Sequence, residues 1–592
     1  MKQFLKFTLA TIVGIMITSF IGFLIMLGMI GAIASSSSKT VKIQPNSVYE
    51  LELKGELLER SQDDPFEGML AGMTGQEVLG SIGLDDVLTN IRKAKNDENI
   101  KGIYLKNGML IGGYASLKEI RDALADFKES GKFIVAYADS YTQSNYYLAS
   151  VADKIYINPE GMLEFQGIAA STTFYKNTLD KIGVEMQVVK VGTFKSAVEP
   201  YIQTQMSDAN REQVTVYINS IWNSLLDAIS QSRNLSKETL NAYADEAMTF
   251  QETKKLVEYK LVDSTMYADG IKEVLKELIG VEDFKKINLV SHKDFTNVPE
   301  NIKMQKDKVA VIYAYGAIDM PMMSSSGSGI DSEELVETIN EVAEDKSVKA
   351  VVFRVNSPGG SAYGSEQIWH ALEILKKEKP LIVSMGDYAA SGGYYISCNA
   401  DSILAQPNTI TGSIGIFGTI PNVAGLHKKI GLTHDGVKTN KMSDMMTGYR
   451  RAFTPEERNL LQAHINRGYE LFTKRCADGR SMQIDSLKAV AEGRVWTGVD
   501  ALKLGLVDKL GGLDDAVKIA AAKANLSNYR VKDYPEKEDF MTRLLKDMNS
   551  EVEAKFMKSK LGNENFLILK QIEQAKSMNG AFALMPYQIS LN

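Results

Sequence analysis

The chain has 592 residues, of which 44% are hydrophobic and 24% are charged, with a formal net charge of -7 and an isoelectric point near 5.6. A chain of that length is too long to fold around a single hydrophobic core, so we predict two domains of ordinary size with shorter appendages. The acidic balance argues against nucleic acid as a partner, and two cysteines exclude a disulfide framework. The five histidines lack metal-ligand spacing, so neither a metal nor another cofactor is predicted.

The N-terminal segment has the character of a membrane anchor. From Phe7 to Ser38 it carries no charged residue and is rich in large apolar side chains. A run of that length spans a bilayer, whereas the apolar part of a cleaved signal peptide is usually about 7 to 15 residues long. We therefore predict an uncleaved transmembrane helix within 1–38, with cleavage near Ala32 to Ala34 as the alternative.

Strand and helix patterns alternate along the rest of the chain. Strand-like runs begin at Val48 and cover Gly102–Leu105 and Phe133–Tyr137, and later runs begin at Val309 and cover Ala350–Val355 and Leu381–Met385. A helical pattern lies between the second and third run of each set. This alternation predicts parallel sheets covered by helices, so the fold class is α/β.

The two sets of elements belong to an internal repeat. Asn145-Tyr146-Tyr147 aligns with Gly393-Tyr394-Tyr395, 248 positions later, and Lys260–Asp263 aligns with Gly505–Asp508 at an offset of 245. The predicted organisation is an anchor at 1–38, a first repeat at 39–275, a connector at 276–307, a second repeat at 308–534 and a charged helical tail for docking or assembly at 535–592.

A serine stands in the second repeat where the first has a glutamine. Ser391 follows the strand-like run Leu381–Met385 and is flanked by Ala390 and Gly392, whereas Gln143 occupies the aligned position of the first repeat. Helix capping is the common role of a serine in such a place. Its small neighbours leave space around the hydroxyl and favour a nucleophile instead.

Two glycines follow another strand of the second repeat, in the run Asn356-Ser357-Pro358-Gly359-Gly360. A glycine pair after a strand is often only a tight turn. It also lets backbone amides approach a ligand closely, as an oxyanion hole requires.

A lysine stands in the first repeat where the second has Ser443. The neighbours of Lys195 from Val191 to Val198 are uncharged, which suits a buried amine whose pKa falls below the reference of about 10.4. An ordinary lysine with an exposed amine is the alternative. Complementary retention of Ser391 and Lys195 predicts one composite Ser-Lys site, while a Ser-His-Asp peptidase that uses His427 remains an alternative.

Three motifs in order resemble the signal peptide peptidase A family, also called protease IV, in its long duplicated form. They are Gly192–Pro200, Asn356–Gly360 and Ala390–Tyr395, and the resemblance covers nearly the whole chain. Phe194 departs from the family, which has Tyr there. The resemblance implies tandem ClpP/crotonase-like domains behind an N-terminal transmembrane helix, assembled as a homotetramer.

The same resemblance implies roles for particular residues. Ser391 matches the family's nucleophile and Lys195 its general base, and Ser413 matches the hydroxyl that orients the lysine amine. Phe165 is the counterpart of Ser413 in the first repeat. The expected oxyanion hole is formed by Gly359, Gly360 and Gly392.

The implied activity is that of a membrane-anchored serine endopeptidase that degrades released signal peptides and other apolar peptides, with no cofactor and no nucleic acid partner. The implied location is the inner (cytoplasmic) membrane, crossed once, with the catalytic domains on the periplasmic side. Two alternatives of other classes remain open at this point: a catalytically silent membrane scaffold and an acyl-CoA enzyme of the crotonase type.

Overall fold

The computed structural model describes residues 41–61, 80–299, 305–319, 329–445, 450–537 and 580–585, together with positions 3, 6–8, 11 and 13–22. Among these residues, no helix is both long enough and apolar enough to cross a membrane. Much of the anchor predicted at 1–38 lies outside the described residues.

Parallel strands form the sheet of the first repeat. They are β1 (Ser47–Leu58), β2 (Ser81–Gly83), β3 (Ile100–Ile111), β4 (Phe133–Tyr141), β5 (Lys154–Leu163), β7 (Ser264–Thr265) and β8 (Asn288–Ser291). Their order is β2-β1-β3-β4-β5-β7, and β8 pairs with β1. All of these pairings are parallel.

Helices of the first repeat pack around that sheet. They are α1 (Leu84–Asn96), α2 (Tyr114–Lys128), α3 (Gln143–Ala149), α4 (Lys176–Ile182), α5 (Glu199–Ile202), α6 (Asp208–Arg233), α7 (Lys237–Asp245), α8 (Thr253–Glu258), α9 (Ile271–Ile279) and α10 (His292–Thr296). Buried residues of the helices and of both faces of the strands form the core, as expected for a parallel sheet covered on both sides.

The second repeat has a sheet of the same plan. Its strands are β9 (Lys308–Tyr315), β10 (Val348–Ser357), β12 (Leu381–Ala390), β13 (Ser402–Ala405), β14 (Ile410–Gly412), β16 (Val495–Thr497), β17 (Lys509–Leu510) and β18 (Arg530–Tyr534). Their order is β16-β14-β12-β10-β9-β18, with β13 joining β12 to β17. Only the β14-β16 pairing among these is antiparallel.

Helices of the second repeat follow the order of those in the first. They are α11 (Ser332–Glu344), α12 (Ala362–Glu378), α13 (Gly392–Tyr395), α14 (Ala424–Lys429), α15 (Pro455–Gly479), α16 (Ile484–Val490), α17 (Gly498–Lys503) and α18 (Leu513–Lys523). The buried stripe Val87, Ile91 and Ala94 of α1 aligns at the repeat offset with Leu335, Ile339 and Val342 of α11. The duplication therefore preserves the apolar spacing that seats each helix on its sheet.

An antiparallel sheet joins the two repeats. It runs in the order β11-β19-β15-β6 and contains β6 (Glu185–Val191), β11 (Gly359–Ser361), β15 (Ile416–Asn422) and β19 (Gly580–Leu584). β6 of the first repeat pairs along its whole length with β15 of the second. A continuous ladder of backbone hydrogen bonds thus fixes one repeat against the other.

Two parts of the predicted organisation differ from the structure. Within the connector predicted at 276–307, β8 pairs with β1, so this part belongs to the first sheet; a strand of four residues is too short to show a periodic pattern. In the tail predicted as helical at 535–592, the described residues 580–584 form a strand, because β11 and β15 offer ladder partners on both sides. Residues 538–579 and 586–592 lie outside the described ranges.

A buried ion cluster also connects the repeats. The guanidinium of Arg354 on β10 donates to both carboxylate oxygens of Glu59, at 2.9 and 3.1 Å, and to Glu119 on α2 at 2.7 Å. All three side chains are buried, and burial raises the pKa of Glu119 to about 7. Close by, Asp387 accepts hydrogen bonds from the backbone and hydroxyl of Ser116 at the start of α2.

Replacing Arg354 by Met should destabilise the folded chain by about 3 to 5 kcal/mol, because two buried carboxylates would lose their counter-ion. The measurement is urea unfolding at neutral pH. Arg92→Met is the matched control: it breaks an ion pair to Asp514 that also joins the repeats but is about half exposed, and should cost about 1 kcal/mol or less. An equal loss of unfolding free energy in the two variants would contradict the role assigned to the cluster.

Candidate active site

Ser391 lies at the turn between β12 and α13. Its backbone has φ 57° and ψ -112°, a conformation that residues with a side chain rarely adopt, and its N–H donates to Gly412 O at 2.8 Å. Although Ser391 occupies the N-cap position of α13, its side chain makes no capping hydrogen bond. The simple capping role considered from the sequence is therefore not what this hydroxyl does.

The amine of Lys195 meets the hydroxyl of Ser391 in the interior of the protein. Lys195 Nζ lies 2.7 Å from Ser391 Oγ and donates to the backbone oxygen and to the hydroxyl of Ser413, both at 3.0 Å. All three residues are fully buried. The structure thus brings together Ser391 and Lys195, which the sequence singled out from two different repeats, with Ser413, which the resemblance matched to an orienting hydroxyl.

The loop that follows β6 places Lys195 against the second repeat. Phe194 N donates to Glu492 O at 2.9 Å, and Thr193 N donates to the Glu492 carboxylate at 3.0 Å. Gly192 has φ 110°, and a Cβ there would lie 2.5 Å from Glu492 O, so only glycine fits between the two segments. The close approach lets Lys195, three residues after Gly192, reach across the joint.

Burial sets the electrostatics of the lysine. A Cβ on Gly493 would lie 2.7 Å from Lys195 Cβ, and one on Gly415 would lie 3.3 Å from Lys195 Cδ, so the stem is enclosed by backbone. No ion pair among the described residues involves Lys195, and its burial lowers its pKa well below the ordinary value. This environment favours the neutral amine, which is the form that can accept a proton.

Gln213 on α6 is a positioning residue that the sequence analysis missed. Its Nε2 donates to Phe194 O at 3.1 Å and to Ser196 Oγ at 2.9 Å, and its Oε1 accepts from Val495 N at 3.3 Å. It therefore holds both neighbours of Lys195 against the second repeat. A single glutamine on a long helix carries no motif, so only the three-dimensional contacts identify it.

The predicted oxyanion glycines lie on two segments that pack together. Gly359 has φ 101° and Gly360 φ 155°, and a Cβ on Gly360 would lie 2.2 Å from Ile318 O. A Cβ on Gly393 would lie 2.5 Å from Ser357 O, so the residues before the glycine pair contact the turn that carries Ser391 and Gly392. Glycine is required here for close approach, which goes beyond a simple tight turn.

The described part of the C-terminal tail lies along the same glycines. β19 pairs with β11 so that Leu584 faces Gly359 and Ala583 faces Gly360, and Met585 N donates to Pro358 O at 2.7 Å. On its other edge β19 pairs with β15. An extended strand therefore lies between β11 and β15 in the sheet.

Side chains fill the corresponding position of the first repeat. Gln143, aligned with Ser391, exchanges two hydrogen bonds of 3.1 Å with the backbone of Gly167. Phe165, aligned with Ser413, is buried against Tyr146 and Trp222. The first repeat has no hydroxyl pair at this place and contributes its lysine to the other repeat.

No histidine among the described residues forms a hydrogen bond with Ser391. His427, the base of the alternative Ser-His-Asp arrangement, lies on α14 with its Nδ1 2.5 Å from His434 Nε2; His427 is partly buried and His434 is exposed. No group of three or more potential metal ligands occurs within the described ranges.

Comparisons with known proteins agree with this geometry. The model of peptidase family S49 matches residues 126–282 and 373–527, which are corresponding parts of the two repeats. Protease 4 of Salmonella typhi is 36% identical over 511 residues, covering 83% of this chain and 81% of that protein. Protease 4 of Haemophilus influenzae is 34% identical over 521 residues, covering 86% and 84%.

The chloroplastic serine protease SPPA of Arabidopsis thaliana is 34% identical over 466 residues, covering 78% of this chain and 68% of that protein. Among solved structures, a ClpP1 mutant from Listeria monocytogenes matches 35% of this chain and 94% of its own, with 13% identity and a TM-score of 0.24.

A buried serine with an adjacent amine base is typical of hydrolases, and the relatives define this one as a serine endopeptidase. The chain belongs to peptidase family S49. The resemblance to the protease IV and signal peptide peptidase A group is therefore confirmed. This sets aside the silent scaffold and the acyl-CoA enzyme that the sequence had left open.

Changing Gly493 to Ala should lower kcat/KM for a fluorogenic peptide by about 10²-fold, because the new methyl group displaces Lys195 from the serine. Gly505→Ala is the matched control, since Gly505 has the same φ of 75° but nothing within 4 Å of an added Cβ. Both variants carry similar backbone strain of about 1 to 2 kcal/mol. A similar loss of activity in both would show that strain alone, and not the lysine position, is responsible.

Proposed function

We propose that this chain is a membrane-anchored endopeptidase that degrades released signal peptides and other apolar peptides at the cell envelope, with Ser391 as nucleophile and Lys195 as general base. The observation that carries the proposal is the 2.7 Å approach of Lys195 Nζ to Ser391 Oγ in a fully buried setting. Membership of a serine peptidase family supports it, since the chain then needs a nucleophilic serine and a base.

The hydrogen bonds around the amine suggest how it acts. A neutral lysine amine has two N–H donors and one lone pair. The backbone oxygen of Ser413 can only accept, and its hydroxyl accepts the second N–H, both at 3.0 Å. The lone pair then points to Ser391, whose proton it takes as the oxygen attacks the peptide carbonyl.

The remaining steps use the same groups. As Ser391 Oγ bonds to the carbonyl carbon, the backbone amides of Gly359, Gly360 and Gly392 are the proposed donors to the oxygen that becomes negative. Lys195 passes its proton to the leaving amine, which leaves an ester between Ser391 and the acyl half of the substrate. Lys195 then takes a proton from water as the water oxygen bonds to the ester carbonyl carbon. The bond between that carbon and Ser391 Oγ breaks, Lys195 returns the proton to Oγ, and the acyl half leaves as a carboxylic acid.

The position of β19 supports extended peptides as substrates. An extended peptide can add to a sheet edge through backbone hydrogen bonds, with little demand on its sequence. β19 does this along β11, where it pairs with Gly359 and Gly360. A substrate strand in that place would bring its carbonyl groups beside the proposed oxyanion donors.

The membrane location and the assembly are proposed on the resemblance. The charge-free run from Phe7 to Ser38 supports a single-pass anchor in the inner (cytoplasmic) membrane, with both repeats, as ClpP/crotonase-like units, on the periplasmic side. A homotetramer is proposed on the same ground. Released signal peptides are apolar and lie at that membrane, so an anchored peptidase would meet them where they are produced.

Ser391→Ala and Lys195→Ala should each lower hydrolysis of a fluorogenic apolar peptide by about 10⁴-fold or more, as expected when one member of a nucleophile-base pair is removed. The assay uses the full chain in detergent, with folding checked by circular dichroism. Lys379→Ala is the matched control, because Lys379 is also a buried lysine but donates to Val342 O and Asp345 O.

His427→Ala should retain activity in the same assay. An active Lys195→Ala together with an inactive His427→Ala would overturn the dyad in favour of the histidine-dependent alternative. Retained activity in Ser391→Ala would overturn the assignment of the nucleophile itself.

Removing residues 580–592 should raise kcat/KM for a short peptide, because β19 occupies the edge of β11 along which the substrate strand is proposed to bind. A synthetic peptide of the same residues, added to the truncated chain, should act as a competitive inhibitor. Truncation that lowers activity without loss of folded structure would instead mean that β19 is part of the functioning site.

A further inference from the structure

A cavity opens at the surface between the two repeats, beside α6. Its volume is about 840 Å³, which is within the range of sites that bind small molecules. The first repeat contributes α2 and α6 to its walls, and the second contributes Pro407 and α17. Next to it, the hydroxyls of Ser220 on α6 and Thr497 on β16 lie 3.0 Å apart and join the two walls. A ligand in this cavity would contact both repeats.

Arg121 on α2 lines this cavity and is only 6% exposed. Its Nη2 donates to Ala228 O at 2.8 Å and to Ser232 Oγ at 2.5 Å, both on α6. Its Nη1 is buried without a hydrogen-bond partner among the described residues, and none of their carboxylates forms an ion pair with it. A buried charge of this kind costs free energy unless an anion or further acceptors satisfy it.

The guanidinium of Arg121 is held in a fixed orientation. Its Cζ lies 5.2 Å from the centre of the Tyr147 ring, which packs against its face, and the two bonds to α6 fix its edge. A planar guanidinium with donors to spare binds a carboxylate through parallel N–H···O bonds. Because its position is already set, little side-chain freedom is lost when such a ligand binds.

Charge in the cavity favours a ligand with one negative charge. Every other charged side chain that lines it already has a partner of opposite sign: Lys118 with Asp122, Lys503 with Asp500, and Asp227 with Lys237. The only charge without a partner among the described lining residues is therefore that of Arg121. A carboxylate matches one positive charge, whereas a phosphate monoester carries about 1.5 to 2 negative charges.

The remaining lining residues match a peptide. Asn219 and Asn223 lie one turn apart on α6 and are exposed, and their side-chain amides can both donate and accept, as a peptide bond does. Between them and Arg121 the walls carry small apolar groups, which include Ala125, Val216 and Val499. This lining suits a short chain with small apolar side chains.

We infer that this cavity is a second peptide-binding site, which takes short peptides by their free C-terminal carboxylate, with Arg121 as the anchor. An endopeptidase produces such a carboxylate each time it cleaves a chain, so ligands of this class arise at the enzyme itself. Ser391, Lys195 and Ser413 are not among the residues that line the cavity. The inference is independent of the roles proposed for those three residues.

The position of the cavity gives binding a structural consequence. α6 also carries Gln213, which holds the neighbours of Lys195 and accepts from Val495 N on β16, and β16 leads directly into α17. A peptide that contacts α6 and α17 together would brace the segments that support Lys195. Its binding should therefore raise the midpoint temperature of unfolding of the full chain.

Binding of acetyl-dialanine to the full chain in detergent, measured by isothermal titration calorimetry, tests the inference. The control ligand is the same dipeptide with a C-terminal amide. We expect the acid to bind at one site per chain and at least about 10-fold more tightly than the amide, because only the acid can form charged hydrogen bonds with Arg121. Absence of binding, equal binding of acid and amide, or tighter binding of inorganic phosphate than of the acid would each overturn the inference.

Arg121→Met should weaken binding of the acid by at least about 10-fold and leave the affinity for the amide unchanged. Arg233→Met is the matched control: this arginine is also mostly buried and lies at the end of α6, but it pairs with Asp263 and does not line the cavity. An unchanged affinity for the acid in Arg121→Met, or an equal loss in Arg233→Met, would contradict the assigned anchor.

A second variant tests the site without removing a buried group. Ala125 lines the cavity and is exposed, so Ala125→Trp should fold normally and block the cavity with its indole ring. It should lower the affinity for acetyl-dialanine by at least about 10-fold, as expected when a ligand loses its charged hydrogen bonds, and leave hydrolysis of a fluorogenic peptide unchanged. Glu129→Trp, at an exposed position of the same helix end but outside the cavity, is its control. Full affinity in Ala125→Trp would overturn the site, even if Arg121→Met failed to fold.

Discussion

The structure depends on the burial of one amine. Lys195 is placed in the interior without an ion-pair partner among the described residues, and its burial lowers its pKa well below the ordinary value. A lysine can be held there only if the surrounding segments are fixed firmly by other interactions. The β6-β15 ladder, the contacts of Gly192 and Gly493, and the hydrogen bonds of Gln213 supply that support.

Duplication explains why the site lies between two repeats. Each repeat has one sheet with the same order of elements, but only the second has the serine pair and only the first has the lysine. In the first repeat, Gln143 and Phe165 fill the space that Ser391 and Ser413 occupy in the second. Because Ser391 and Lys195 belong to different halves, their approach depends on the interface between the halves, which includes the buried Arg354 cluster.

Much of the fold could be predicted from the sequence, because central strands such as β3 and β4 recur at the repeat offset as β10 and β12. The meeting of Ser391 and Lys195 was also predicted, since complementary losses in two copies point to one shared site. Gln213 and Glu492 could not be predicted, because they act through single contacts between positions far apart in the chain. The strand β19 was missed for a related reason: it forms only because two ladder edges are available, which local patterns do not reveal.

The central claim, that burial holds Lys195 neutral beside Ser391, is tested most directly by the pH dependence of stability. The unfolding free energies of wild type and Lys195→Met are compared at several pH values below about 10.4, which is the reference pKa of lysine in an unfolded chain. In that range, down to the lowered pKa of the folded state, the unfolded chain binds one more proton. The unfolding free energy of wild type should therefore increase relative to that of the variant by about 1.4 kcal/mol per pH unit as the pH rises. If the difference in unfolding free energy between the two proteins does not change with pH, Lys195 is protonated in the folded protein, which would contradict the account.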